Sequence, residues 1–197
     1  FAGSAGYAVR HHDRAVVLVD ADPIIAGLWR YLISVSAAEV RALPSVVEHV
    51  DEIVGPQEAR WLVGFWLNKG TESPRLRPSA GMRRLQAGRP GTFWGEAIRE
   101  RIASQVDQIR HWRVIEGDYS MAPDVEATWL IDPPYADKGS YYRVKFSRHD
   151  DLGAWCRTRQ GQVIACEQEG AKWLPFQTFD ATTKAMRGVS HEVIWVK

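Results

Sequence analysis

Three features of the sequence predict an α/β fold built on a mainly parallel sheet with helices on both faces. Short apolar runs alternate with segments of helical period along most of the chain. Several of those runs end on an aspartate followed by a turn former, as strands do when they leave a sheet. The final stretch instead holds two β-rich segments joined by polar residues, which reads as a closing antiparallel pair.

The elements follow in order. FAGSAGYAVRHH carries Gly3 and Gly6 among small residues, as in a tight turn after a strand. Phe1 reads as the last residue of that strand, so the residues before it, and the strand itself, are expected to be absent from this sequence. RAVVLVDADP is apolar over residues 15–19 and closes on Asp20 and Asp22. Asp22 then caps a helix whose first position is Pro23. Ser36 and Glu39 have the spacing of a capping box, and Pro44 stops the helix they start. GPQEARWLVGFWLNKG reads as an amphipathic helix with Pro56 near its start and Gly70 past its end. Residues 71–95 show neither period and are dense in Pro, Gly and Arg, which reads as a long loop. A helix over 96–112 places Ile98, Ile102, Val106 and Ile109 on one stripe. WRVIEGDYS and ATWLIDPPY give two more strands, RHDDLGAWCRTR a helix and GQVIACEQ a strand. WLPFQTFDATT and HEVIWVK make the closing pair.

Composition narrows the classes. With 197 residues, 45% of them hydrophobic, the chain can bury a real core in one domain or in one domain with an insertion. No apolar run approaches the roughly 20 residues a membrane helix needs, and no signal peptide is visible. Cys156 and Cys166 have neither metal-ligand spacing nor a disulfide framework, which suits a reducing cytosol. His11, His12 and His149 form no ligand pattern and read as surface residues, so no metal is expected. A net charge of +1 means that any nucleic-acid surface must come from local clustering. The nine tryptophans are expected mostly in the core.

Candidate chemistry gathers at strand ends, where ligands of open α/β sheets bind. Asp20, Asp118 and Asp132 each follow a strand, and the Gly3–Gly6 turn follows another, which would put all four on one rim. After Asp132, Pro133 and Pro134 stiffen the exit and leave carbonyl groups without a competing donor. Tyr135 adds a flat ring. A carboxylate acceptor, open carbonyls and a stacking ring together suit a planar group bearing an NH2. Taken singly, Asp20 could cap the next helix, Asp118 could be a turn residue, and Asp132 could mark a proline-stiffened turn. Glu167 and Gln168 end a strand on the same rim and are weaker candidates for touching substrate, whereas Trp173, Leu174 and Phe176 read as core.

FAGSAG, VDADP, EGDY and IDPPY, in that order, resemble the S-adenosylmethionine-dependent DNA adenine-N6 methyltransferases of the Dam-like, phage-type class. The resemblance spans most of the chain and is weakest over residues 36–95. It departs at Ala5, where that family commonly has Gly, and the family's upstream Gly-Lys segment would precede Phe1. It implies a Rossmann-like class I methyltransferase fold, with a catalytic domain over 1–54 and 113–197 and a helical insertion over 55–112. It implies that Phe1, Gly3, Ser4 and Gly6 line the cofactor, that Asp20 holds its ribose and that Asp118 meets its adenine amine. Asp132 and the Pro133 carbonyl would hold the target NH2, within the motif Asp132–Pro133–Pro134–Tyr135, and Tyr135 would stack on a base flipped from duplex DNA. The basic loop 71–95, with Arg75, Arg77, Arg83, Arg84 and Arg89 against Glu72, would contact DNA, helped by Lys138 and Tyr141. A solvated loop is the alternative. The cytoplasm of a bacterial or phage-infected cell is the implied location.

Two other enzyme classes share the motif. The ribosomal-RNA guanine-N2 methyltransferases resemble the chain in both motifs but hold them closer together, and cytosine-N4 enzymes usually carry Ser where Asp132 stands. A nucleic-acid-binding protein that kept the fold and lost turnover is a rival of a different class.

Overall fold

The computed structural model describes every residue except 69–71, 87–90, 137–140 and 186–187, with backbone alone for 84–86, 179–185 and 188–191. It is a mixed α/β chain forming two compact units, one of Gly3–Gly117 and one of Phe1–Ala2 with Asp118–Lys197.

In the Gly3–Gly117 unit, β1 (Val17–Asp20) pairs in parallel with β2 (Arg113–Glu116), Asp20 opposite Glu116 at their carboxyl ends. A short α1 (Gly6–Arg10) precedes β1. The connection between the strands begins with α2 (Pro23–Ser34), where Pro23 opens the helix and the Asp22 carboxylate accepts the Ile24 N–H at 2.9 Å. In α3 (Ala37–Ala42), the Ser36 hydroxyl accepts the Glu39 N–H and the Glu39 carboxylate accepts the Ser36 N–H, so the expected capping box forms. Next comes α4 (Gln57–Trp66), which ends before the region of Gly70. Its Leu62 and Val63 pack with Ile53, Trp94 and Ile98 into the larger of this unit's apolar clusters.

Two helices differ from expectation. Residues 71–95 are not wholly loop, because α5 (Ala80–Gln86) forms within them. The Ser79 hydroxyl accepts the Met82 N–H, and Met82 is the buried anchor. A helix of under two turns with one such anchor is too short to register as a 3.6-residue period. Other described parts of the segment are pinned: the Arg75 N–H donates to the Gly64 carbonyl at 3.0 Å, and the Leu76 carbonyl accepts the Val50 N–H. The helix expected over 96–112 stops sooner, as α6 (Glu96–Ala103), and tightens into a 3₁₀ turn at Val106–Ile109. Ser104 turns its hydroxyl back onto the Arg101 carbonyl at the break, a local competitor to helix propagation. Ile98, Val106 and Ile109 are buried nonetheless.

The other unit holds a four-stranded sheet in the order β3-β4-β6-β5: β3 (Trp129–Ile131), β4 (Val163–Gln168), β5 (Gln177–Ala185) and β6 (Gly188–Val196). β3 runs parallel to β4, while β6 is antiparallel to both β4 and β5. The closing antiparallel pair is therefore present, but the described strands do not make one mainly parallel sheet; the two long final strands contribute as many antiparallel pairings as the rest contribute parallel ones. Between β3 and β4 lies α7 (His149–Thr158), whose Leu152 and Cys156 are fully buried against Val163, Ala165 and Trp173. Of the nine tryptophans, Trp29, Trp94, Trp112 and Trp173 are buried and the other five only partly so, fewer in the core than expected. Their indole edges stay near polar partners, as when Trp129 donates to the Gln160 carbonyl. Among the described residues no helix is long and apolar enough to cross a membrane.

Candidate active site

The Asp-Pro-Pro-Tyr segment leaves the sheet where β3 and β4 run side by side in parallel. Ile131, the last residue of β3, is buried opposite Ala165. Asp132 follows it and is exposed, whereas Pro133 and Pro134 are buried, so two prolines anchor a loop whose one acid faces out. The Tyr135 hydroxyl lies beside the Asp132 carboxylate. Protein atoms still crowd that carboxyl: loss of solvent raises its pKa, the negative charge of Glu192 adds to the rise, and the nearby Tyr135 hydroxyl opposes it. Burial likewise raises the Tyr135 hydroxyl, reinforced by Asp132 and Glu192, so the phenol stays protonated and able to donate. The neighbouring Cys166 thiol is pushed up to about 11 by burial, with Asp132 and Glu192 adding to it, which removes thiolate chemistry from this loop at neutral pH.

Two residues beyond the motif fasten it. His149 opens α7, and its Nε2 lies 3.0 Å from the Pro134 carbonyl. A carbonyl only accepts, so Nε2 carries the proton. His149 is thus not the surface residue expected; it is half-buried, with its ring against Phe146 and Trp173. Glu167, 1% exposed, accepts three N–H groups, from Ala136 (3.3 Å), Gln168 (2.9 Å) and the Trp173 indole (3.0 Å). It faces the protein interior rather than standing open to a ligand. A signal for this was present: burial alternates along β4, with Val163, Ala165 and Glu167 inward, so an acid in that phase must be hydrogen-bonded inside. For His149 no sequence signal exists, since the contact depends on where α7 packs. Trp173 and Leu174 are buried as expected, and Phe176 is partly so.

Asp118 sits in the same unit and caps the 3₁₀ turn Tyr119–Met121, accepting the Ser120 N–H at one oxygen. Its other oxygen accepts Arg148 Nη2 at 2.5 Å, and that guanidinium lies over the Tyr119 ring. The Phe1 ring stacks near Tyr119, with centroids 6.1 Å apart, and meets Phe146 edge-on. Both Asp118 oxygens therefore already have partners in the chain.

In the other unit, Asp20 ends β1. One of its oxygens accepts the Asp22 N–H at 2.8 Å and the other the Gly3 N–H at 3.3 Å, which ties the glycine turn to the strand end. The Gly3 carbonyl in turn accepts the Trp29 indole N–H at 2.9 Å. Gly3 has φ +45°, and a Cβ there would meet nothing within 4 Å. Ser4 is exposed, and a Cβ at Gly6 would reach only the Ser4 hydroxyl at 3.9 Å, so bare backbone lies open along this turn. Ala5 between them adopts φ +47°, a left-handed conformation that costs a residue with a side chain about 1 kcal/mol or more.

Of the candidate DNA contacts, Arg75 and Arg77 are exposed, and Tyr141 is 73% exposed. Arg83 pairs with Glu48 at 2.6 Å. Arg89, Lys138 and the side chain of Arg84 lie outside the described residues. Among the described residues, no cluster of three or more His, Cys, Asp or Glu is placed to hold a metal ion.

No protein-family model matches the chain, and a search of the curated proteins finds no match either.

Proposed function

We propose that the chain is an S-adenosylmethionine-dependent methyltransferase of Rossmann-like class I architecture, acting on the exocyclic N6 of adenine in double-stranded DNA. The observation that carries the reading is the loop after β3: an exposed carboxylate of raised pKa, followed by two buried prolines, at the carboxyl ends of two parallel strands. Such a carboxylate can accept an N–H from a planar amine; in this reading the carbonyl of the buried Pro133 accepts the second once the loop admits the base. Two acceptors that pull the N–H bonds out of the plane of the base draw the nitrogen lone pair out of conjugation and direct it. Tyr135 offers a ring face to the base, which must leave its duplex stack to reach the loop. Catalysis of this kind is mainly positioning and electrostatics.

The open turn over Gly3 and Gly6, tied to the end of β1 through Asp20, fits the cofactor's ribose and methionine side. Asp118 can meet an adenine amine only by sharing or releasing Arg148. S-adenosylmethionine supplies an electrophilic methyl group when bound. In this reading residues 1–54 and 113–197 serve catalysis and 55–112 serve target recognition through the exposed arginines. The cytoplasm of a bacterial or phage-infected cell is the compartment in which this activity would meet its DNA.

The test is transfer of tritiated methyl from S-adenosylmethionine to unmethylated duplex DNA, single-stranded DNA and ribosomal RNA, with Asp132→Ala beside the parent. Label on DNA adenine that is lost in the variant is the expected result. Label confined to RNA would reassign the chain to guanine-N2 chemistry. No label on any acceptor, with a thermal shift by S-adenosylhomocysteine, would reduce it to a cofactor-binding protein without turnover.

A further inference from the structure

Three elements converge on the loop that carries Asp132. From α7, His149 Nε2 donates to the Pro134 carbonyl at 3.0 Å. From β4, the Glu167 carboxylate accepts the Ala136 N–H at 3.3 Å. From the segment after β4, the Trp173 indole donates to the same Glu167 oxygen at 3.0 Å and its ring lies 5.9 Å from the His149 ring. The two fasteners therefore bracket Tyr135 in sequence, one bond on each side of it, and share Trp173 as a common support.

Among the described residues, nothing in the packing of this unit demands an ionisable group at Glu167. Its neighbours on the inward face of β4 are Val163 and Ala165, and an apolar residue would fill the position without the cost of burying a carboxylate. What the carboxylate adds is a fixed pair of oxygens for three converging N–H donors, one of which belongs to the loop. His149 is held in turn by α7, which comes close enough for a Cβ on Gly153 to stand 2.6 Å from the Trp173 carbonyl oxygen. That close approach sets the level at which His149 meets Pro134.

We propose that Glu167 and His149 are positioning residues that hold the Asp132–Tyr135 loop in its reactive shape, a role that rests on the methyltransferase reading above. Neither touches substrate. Their effect passes through the backbone at Pro134 and Ala136 to the direction of the Asp132 carboxylate and the Pro133 carbonyl. A loop displaced by about an ångström would cost on the order of 100-fold in rate.

The variants are Glu167→Gln, His149→Phe and His149→Gln in the full chain. Glutamine at 167 has one oxygen and an NH2, so it cannot accept all three donors. Phenylalanine at 149 keeps the ring contacts and removes the donor, whereas glutamine there keeps a donor. We expect kcat for duplex DNA to fall on the order of 100-fold in Glu167→Gln and His149→Phe, with KM for DNA and cofactor within a few-fold of the parent. A 2-aminopurine at the target base should still brighten on binding, and His149→Gln should recover most of the lost rate. Hydrogen exchange across residues 132–136 should quicken in Glu167→Gln and His149→Phe whatever the activity. Parental kcat in both variants, equal loss in His149→Phe and His149→Gln, or unchanged exchange across the loop would overturn the proposal. A parent inactive on every acceptor, with exchange quickened in the two variants, would instead refute the methyltransferase reading while leaving the fastening of the loop in place.

Discussion

Glu167 and Trp173, six residues apart, meet inside the protein through a 3.0 Å bond from the indole N–H to the carboxylate. Trp173→Phe removes that donor together with part of a buried ring. Hydrogen bonds to charged acceptors contribute about 1.5–3 kcal/mol and the cavity adds to it, so the variant should lose at least about that much stability in urea unfolding, with the slope unchanged. A loss under about 0.5 kcal/mol would show that Ala136 and Gln168 already satisfy the carboxylate.

Asp132 makes the fold sensitive to pH. Folding raises its pKa, so the folded chain holds that proton more tightly than the unfolded chain does. Stability therefore falls as pH climbs from the ordinary aspartate range through the raised value, and above that window the ionised group is a standing cost. Asp132→Asn removes the cost and keeps an oxygen for the Tyr135 hydroxyl. The variant should melt at a higher temperature than the parent near pH 8, and the gap should close toward about pH 4. Equal melting temperatures across this range would show that the carboxyl is not desolvated.

Ala5 holds φ +47° at the start of α1 with a side chain that disfavours it. Glycine there pays no such penalty, though it adds freedom to the unfolded chain. Ala5→Gly should stabilise the chain by up to about 1 kcal/mol, read as a rise in denaturation midpoint. A destabilised variant would indicate that the 8% exposed methyl group packs more tightly than its position suggests.

The exposed pair Arg75 and Arg77 is expected to contribute more to DNA affinity than Arg83, whose guanidinium is shared with Glu48. If each of the pair neutralises one phosphate, Arg75→Ala with Arg77→Ala should lower the magnitude of the salt slope of duplex binding by about 1.8, against less than 0.9 for Arg83→Ala. Equal slopes for parent and double variant would remove this segment from the DNA interface.

Much of the local structure was legible because its causes are local. Asp22 with Pro23, and Ser36 with Glu39, cap helices through contacts spanning two or three residues, and the sequence shows both. The apolar run before Asp132 announces a strand for the same reason. The failures follow from the converse. The helix at 80–86 has too few turns to display a period, and the break after Ala103 depends on a serine choosing its own backbone.

At the candidate site, composition and order alone singled out Asp132, the two prolines and Tyr135, since their chemistry is written in adjacent positions. They also marked Gly3, Gly6 and Asp20 as a strand-end turn. Only the tertiary structure decided what surrounds them: that Pro134 is held by a histidine 15 residues on, that Ala136 is held by an acid from the next strand, and that Asp118 is engaged by Arg148. Those contacts join residues brought together by strand pairing and by the packing of α7. Hydrogen-bond geometry of that range has no periodicity for a sequence to carry; it arises when burial of Leu152, Cys156, Val163 and Trp173 fixes where each backbone runs.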